Sequence, residues 1–333
     1  MPPFAKSSSL KRFFQSQAGA TVLWVLASLL FAAILAPWVY QGGKALAAAA
    51  AARELPGILE WLGTACEKSK FARYYSRTLS FSALIFLPFL FRRIRKLRAQ
   101  SEVTIPTIAK AQWKFSPLQI LTGFVISGGL LWGLVMMLHA LGVYTPDPHP
   151  PKISKFLAAV LIPTVAAPLV EEWVFRGLLL GLWLKSSRPL VAIVGTSLLF
   201  AFLHFLEPPV GFTILDPSAP TAGFKLLGRI LLHFADPRFF VTDFATLFVV
   251  GIILAWARLR TGALWFSIGL HAGWVMVFKV CNLLYVDVPD HPLHPWGVGR
   301  NIRSGLLPMI TLGLTAVLCH FVFMRFEAHR KNA

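Results

Sequence analysis

Three stretches of this sequence hold side chains that could do chemistry. The first, Ala167 to Gly177, carries Glu171, Glu172 and Arg176 in an otherwise apolar run. The second, Phe200 to His204, and the third, Gly269 to Trp274, each hold one imidazole, His204 and His271. On a helix, Glu172 and Arg176 stand i, i+4 and pair on one face, whereas Glu171 points about 100° away. The spacing predicts one neutralised carboxylate and one left for chemistry. Pro163 and Pro168 each remove a helical hydrogen bond, and the kink this predicts would admit water to the bundle.

The chemistry available to such groups is activation of water. A carboxylate in a water-poor pocket with an imidazole beside it forms a general base. A second imidazole could donate to the oxyanion of a tetrahedral intermediate, worth about 3 kcal/mol where water is scarce. No suitable Ser, Cys or Asp pair competes, so attack by a side-chain nucleophile is the weaker route. One Glu and two His, here Glu171, His204 and His271, could also hold Zn²⁺ with a position open to water. The H-E-x-x-H helix that would mark such a site is missing, so the expectation is no cofactor, with Zn²⁺ the alternative. A blander reading makes Glu171, Glu172 and Arg176 a charge cluster that holds helices together. A lone intramembrane His is more often a hydrogen-bonded core residue, and His139 and His320 are read that way.

The elements that position these groups follow from composition. Hydrophobic residues make up 56% of the 333 and charged residues 14%, with a mean hydropathy of +0.66. A water-soluble fold of this size could not bury so much apolar surface. A chain crossing lipid must satisfy its own backbone, and continuous apolar runs of about twenty residues select helices over a barrel. The expected fold is an all-α polytopic membrane helix bundle of about eight spans. They lie near 20–40, 75–91, 118–143, 156–184, 190–206, 241–257, 263–285 and 306–323. Residues 1–117 form an N-terminal region with two spans and a basic cytoplasmic loop, and 118–333 the core with the candidate site and a C-terminal helix. Ala47 to Trp61 could be a helix on the membrane surface or a plain loop helix.

The formal charge of +18 is a topology signal rather than a nucleic-acid footprint, because Lys and Arg sit between the apolar runs. With the N-terminus cytoplasmic, so are the cluster Arg92, Arg93, Arg95, Lys96 and Arg98, then Lys185, Arg188, Arg258, Arg260, Arg325, Arg330 and Lys331. Both termini are then cytoplasmic. Counted from those ends at about 1.5 Å per residue, Glu171, His204 and His271 share one broad layer roughly 20 Å deep. That layer persists if the topology is reversed. Cys66, Cys281 and Cys319 show no metal or disulfide spacing.

At these residues the chain resembles the CPBP family, which groups type 2 CAAX prenyl endopeptidases with bacterial proteins of bacteriocin processing and immunity. The match is to E-E-x-x-x-R (Glu171, Glu172, Arg176, extended by Phe175 and Gly177), F-x-x-x-H (Phe200, His204) and the later His271, over roughly 157–284. The resemblance implies a glutamate-dependent intramembrane endopeptidase, of a kind long described as metalloproteases. The first Glu and first His, Glu171 and His204, would activate water, His271 would stabilise the oxyanion, and Glu172 and Arg176 would support the site. The implied substrate is a membrane-anchored or lipidated protein or peptide, and the expected location a bacterial plasma membrane. One residue departs from the pattern. The family's third motif ends H-x-x-x-N, but position four is Val275, which cannot donate a hydrogen bond, and Asn282 is about three turns away. Either another donor substitutes or turnover falls by about 10²-fold. Loss of that amide favours the alternative, a non-catalytic immunity or scaffolding member. A proton-coupled transporter ranks third, because paired, interrupted half-helices are missing.

Overall fold

The computed structural model describes residues 14–52, 56–99, 115–185, 187–206, 212–294, 296–299 and 301–332, without the side chains of 98–99 and 326–332. The chain forms two compact units, one of residues 1–103 and 204–236, the other of 104–203 and 237–333. Of the charged residues expected near the membrane surface, Arg53 and Glu54 and the side chains of Arg98, Arg330 and Lys331 lie outside the described residues.

In the first unit, α1 (Gln17–Ala52) packs against α2 (Gly57–Glu67), α3 (Phe71–Ala99) and α8 (Ala222–His233). Helix α1 runs well past the span expected at 20–40. Its tail is an alanine run, the strongest helix former, so Ala47 to Ala52 continue α1, and α2 begins as a separate helix after Pro56. The α1–α3 contact is fixed by Trp24, whose Nε1–H donates to the Ala83 carbonyl at 3.0 Å, and by the edge-to-face pair Phe31 and Phe86. Gly223 brings α8 against the backbone at Ala33, where a Cβ would collide.

In the second unit, α4 (Pro117–Ala140) begins at an N-cap, Ser116, with Pro117 in the first turn. Helix α5 (Ile153–Glu172) continues through Pro163 and Pro168. The departure from α geometry falls just beyond, as a π-helical segment Trp173–Leu179 that leads into α6 (Leu180–Leu184). The remaining elements are α7 (Pro189–His204), the short α9 (Pro237–Phe239), a second π-helical segment (Phe240–Phe244), α10 (Ala245–Thr261), α11 (Trp265–Leu284) and α12 (Leu306–Asn332). Helix α10 ends on Gly262, whose φ of +70° is the left-handed conformation that closes helices. Strands β1 (Tyr144–Pro146) and β2 (Tyr285–Asp287) pair antiparallel and tie together the ends of α4 and α11.

Helix α11 is the centre of this unit and is packed against α4 with almost no side chain between them. A Cβ at Gly269 would run into the Ile120 carbonyl, one at Gly273 would meet Phe124 and Ser127, and one at Gly123 would lie 2.6 Å from the Phe266 carbonyl. Small residues at a helix contact are the usual way to bring backbones together in lipid, where no hydrophobic effect pulls helices into contact. Beyond this seam the core contains Leu134, Val135, Leu138, Leu254, Phe266, Leu270, Ile302 and Phe323.

The architecture is all-α and polytopic, as expected. Six described segments are long and apolar enough to cross a bilayer: 17–52, 117–140, 153–184, 237–261, 265–284 and 306–325. The other two expected spans are helices as well. Helix α7 has 16 residues, short of the ~20 that span a bilayer, and α3 is less apolar because it carries Arg73, Arg77 and the basic cluster. Large apolar side chains point outward along the spans, among them Leu121, Ile162, Val170, Leu190 and Ile310. Such a surface suits lipid and not water. The protein is an integral membrane protein.

Candidate active site

The site grows from the junction between α5 and the π-helical segment. Glu171 and Glu172 are the last two residues of α5, and Arg176 lies within the π-helical turn. Such single π turns recur at functional sites, because one extra residue per turn re-aims the side chains. Arg176 NH1 donates to Glu172 Oε1 at 2.9 Å, and both side chains are buried, Glu172 at 0% exposure and Arg176 at 3%. The pairing anticipated from i, i+4 spacing is present.

The surroundings of Arg176 come from other helices. Its NH2 donates to the Gly251 carbonyl of α10 at 3.3 Å, and its Cζ sits 4.3 Å from the centre of the Phe200 ring of α7. Phe175 meets Phe200 edge-on. A guanidinium on an aromatic face with its donors on a carboxylate and a carbonyl is held in a single orientation. Gly251 matters because a Cβ there would lie 2.8 Å from that of Ser197, so a glycine is what lets α7 and α10 close around the arginine.

His271 completes the group from α11. Its Nδ1 lies 3.0 Å from Glu172 Oε1, the oxygen that also receives Arg176, and its Nε2 lies 3.7 Å from Glu171 Oε2. A carboxylate in an ion pair only accepts, so the Nδ1–H of His271 donates to Glu172. The nitrogen turned toward Glu171 is therefore Nε2. The two glutamates differ sharply in exposure: the Glu171 side chain is 28% exposed and that of Glu172 is wholly buried. Glu172 is enclosed by two donors, while Glu171 reaches a more open place where it shares space with Nε2.

Four of the five residues expected at the site thus meet within the second unit: Glu171, Glu172, Arg176 and His271. The fifth, His204, is the half-buried last residue of α7 and falls in the first unit. His139 and His320, expected as core residues, are instead exposed on their helices, each with a partner of its own. His139 Nδ1 lies 3.0 Å from the Tyr144 carbonyl, with the ring edge-on to Tyr285, and His320 stacks on Trp256. Residue-by-residue inspection missed the glycines, although Gly269 and Gly273, each two residues from His271, were a signal for close helix approach.

A zinc ion in a catalytic site takes three protein ligands and keeps one position open. Glu172 is committed to Arg176 and His271, and His271 Nδ1 to Glu172, so the second unit offers a metal one carboxylate, Glu171, and one ring nitrogen, Nε2. Among the described residues no three His, Cys, Asp or Glu side chains group as a ligand set.

A multi-helix membrane protein with a Glu-Glu-Arg-His network inside its spans is what the fold and the site define. Residues 153–277 match the family described as type II CAAX prenyl endopeptidase Rce1-like. The matched segment contains Glu171, Glu172, Arg176, His204, His271 and Val275. No curated protein and no solved structure matches the chain.

Proposed function

We propose that this protein is an intramembrane endopeptidase that hydrolyses a peptide bond of a membrane-anchored or lipidated protein or peptide, with Glu171 as the general base. The observation that carries the reading is the unequal treatment of two adjacent carboxylates. Glu172 is buried and held by Arg176 and His271, whereas Glu171 is partly exposed with His271 Nε2 at 3.7 Å. A gap of that size suits one small reactant held between two polar groups.

In the proposed step Glu171, with His204 as the resemblance assigns it, takes a proton from water as the oxygen attacks the scissile carbonyl. The carbonyl oxygen becomes an oxyanion and receives a hydrogen bond from the Nε2–H of His271, which enters and leaves the step as the imidazolium with its Nδ1–H on Glu172, so no proton is gained or lost at the ring. As the C–N bond breaks, Glu171 returns the proton to the leaving amine. Glu172 and Arg176 act on the reaction through His271, whose ring they orient. The reading uses no metal. Basic residues at the ends of α3, α6 and α10 support a topology with both termini cytoplasmic, and the proposed location is a bacterial plasma membrane.

The test is cleavage of a library of membrane-anchored peptides by purified protein in liposomes, comparing wild type with Glu171→Gln, with and without chelator. Cleavage by wild type alone, unaffected by chelator, is the expected result. Loss on chelation with recovery on adding zinc would replace this chemistry with a metal-dependent one. No cleavage of any peptide would support the non-catalytic reading that Val275 favours.

A further inference from the structure

Two polar side chains farther along the contact between α5 and α11 have no part in the proposed hydrolysis. Helix α5 buries one stripe, Val160, Thr164, Pro168 and Glu172, at a spacing of four residues, and the helix it packs against is α11. Glu172 meets His271, and a Cβ at Gly177 would lie 3.5 Å from the Leu264 side chain. The two helices therefore run antiparallel. Thr164, eight residues before Glu172, is level with Lys279, eight residues after His271, each about 12 Å along its helix from the Glu172–His271 contact. On α11, Phe278 returns after seven residues to within about 20° of the direction of His271, and Lys279 stands beside it.

Thr164 is 7% exposed, and its hydroxyl has no hydrogen-bond partner among the described residues. Other helical threonines of this chain, Thr196, Thr311 and Thr315, donate to the carbonyl four residues back. A buried hydroxyl that does not is out of the ordinary and calls for a partner. Lys279 is half-buried and forms no hydrogen bond or ion pair with a described residue; its Nζ lies 5.8 Å from the centre of the Phe278 ring. It sits more than a turn before the end of α11 at Leu284. An ammonium in a span without an acidic partner is expensive and marks a functional site by default. Arg303, with its Cζ 5.4 Å from the same ring, adds positive potential there without being needed as a ligand. An ammonium offers only donors, and the Thr164 hydroxyl has an O–H to give. Two such donors at one level of a helix contact suit an anionic acceptor.

We propose that Lys279 and Thr164 bind a carboxylate of the substrate three to four residues from the scissile bond, a reading that rests on the hydrolysis proposed above. An extended peptide rises about 3.4 Å per residue, so 12 Å corresponds to that number of residues. A free chain end supplies the carboxylate, and an Asp or Glu side chain at the same distance supplies the same chemistry. Val275, four residues from both His271 and Lys279, is half-buried and offers only apolar contact to the residues between.

The test is a binding measurement on the full-length Glu171→Gln protein, which holds peptide without cutting it, in phosphatidylcholine nanodiscs. A fluorescent membrane-anchored peptide is compared as its free C-terminal acid, as its C-terminal amide, and as an amide with one Asp at the third or fourth residue from the end. The free acid should bind about tenfold tighter than the plain amide, the scale of one hydrogen bond to a charged group. Tighter binding of the Asp amide as well would mean that a side-chain carboxylate also serves. Adding Lys279→Gln should bring the carboxylate peptides down to the plain amide without changing the amide itself, Lys279→Arg should keep the preference, and Thr164→Val should reduce it. Equal or absent binding of all three peptides would overturn the proposal, as would a preference that survives Lys279→Gln. A carboxylate preference in binding with no cleavage of any peptide by wild type would sink the hydrolysis and leave the subsite standing, and cleavage by wild type with no such preference would do the reverse.

Discussion

The buried pair Glu172–Arg176 gives a sharp energetic test. Glu172 is 0% exposed and Arg176 3%, so neither charge can turn to water when its partner is removed. Breaking a buried ion pair from one side typically costs about 3–5 kcal/mol, most of it from stranding the remaining charge. Arg176→Met leaves Glu172 with His271 alone, and Glu172→Gln leaves Arg176 with the Gly251 carbonyl and the Phe200 ring. Each substitution should therefore destabilise by about 4 kcal/mol. The double variant strands no charge and should cost no more than either single one. Its cost would be about 4 kcal/mol where additivity gives about 8, an interaction energy of roughly 4 kcal/mol. Glu171→Gln, at a side chain 28% exposed, should by contrast change stability by less than about 1 kcal/mol. The assay is reversible unfolding in mixed micelles titrated with a denaturing detergent, following the tryptophan signal. Additive costs for the two single variants would refute the view that Glu172, Arg176 and His271 form one closed unit, as would a Glu171→Gln cost equal to that of Glu172→Gln.

Other outcomes follow from the same geometry. Val275→Asn, which restores an amide one turn beyond His271, should raise turnover, by up to about 10²-fold if the missing donor limits the rate; unchanged turnover with the same peptide would show that Val275 is no defect. Gly273→Val would force α11 away from Phe124 and Ser127 of α4, and should lower both activity and the unfolding midpoint, whereas Gly133→Ala, at a position with open space around it, should leave both unchanged. Activity and detergent-unfolding measurements on the two variants decide that contrast.

The sequence by itself determined that this is an all-helical membrane protein, because apolar runs of bilayer length leave the backbone no other means of satisfying its polar groups. It also determined the Glu172–Arg176 pair, since i, i+4 neighbours on a helix meet whatever surrounds them. It was legible that Glu171 would differ from Glu172, since consecutive residues face different directions. The π-helical turn after Glu172 was not legible: the two prolines foretold an irregularity, but α5 absorbs both and the departure falls beyond them. Nor could any local rule say that His271 would deliver Nδ1 to the Glu172 oxygen already bound by Arg176, across 99 residues of chain. That contact rests on α11 lying against α5 and, through Gly269 and Gly273, directly on the backbone of α4. The ring of Phe200 and the Gly251 carbonyl likewise reach Arg176 only because α7 and α10 close together at a glycine. Periodicity fixes what one helix presents along its own face, and only the packing of several helices decides which of those faces meet.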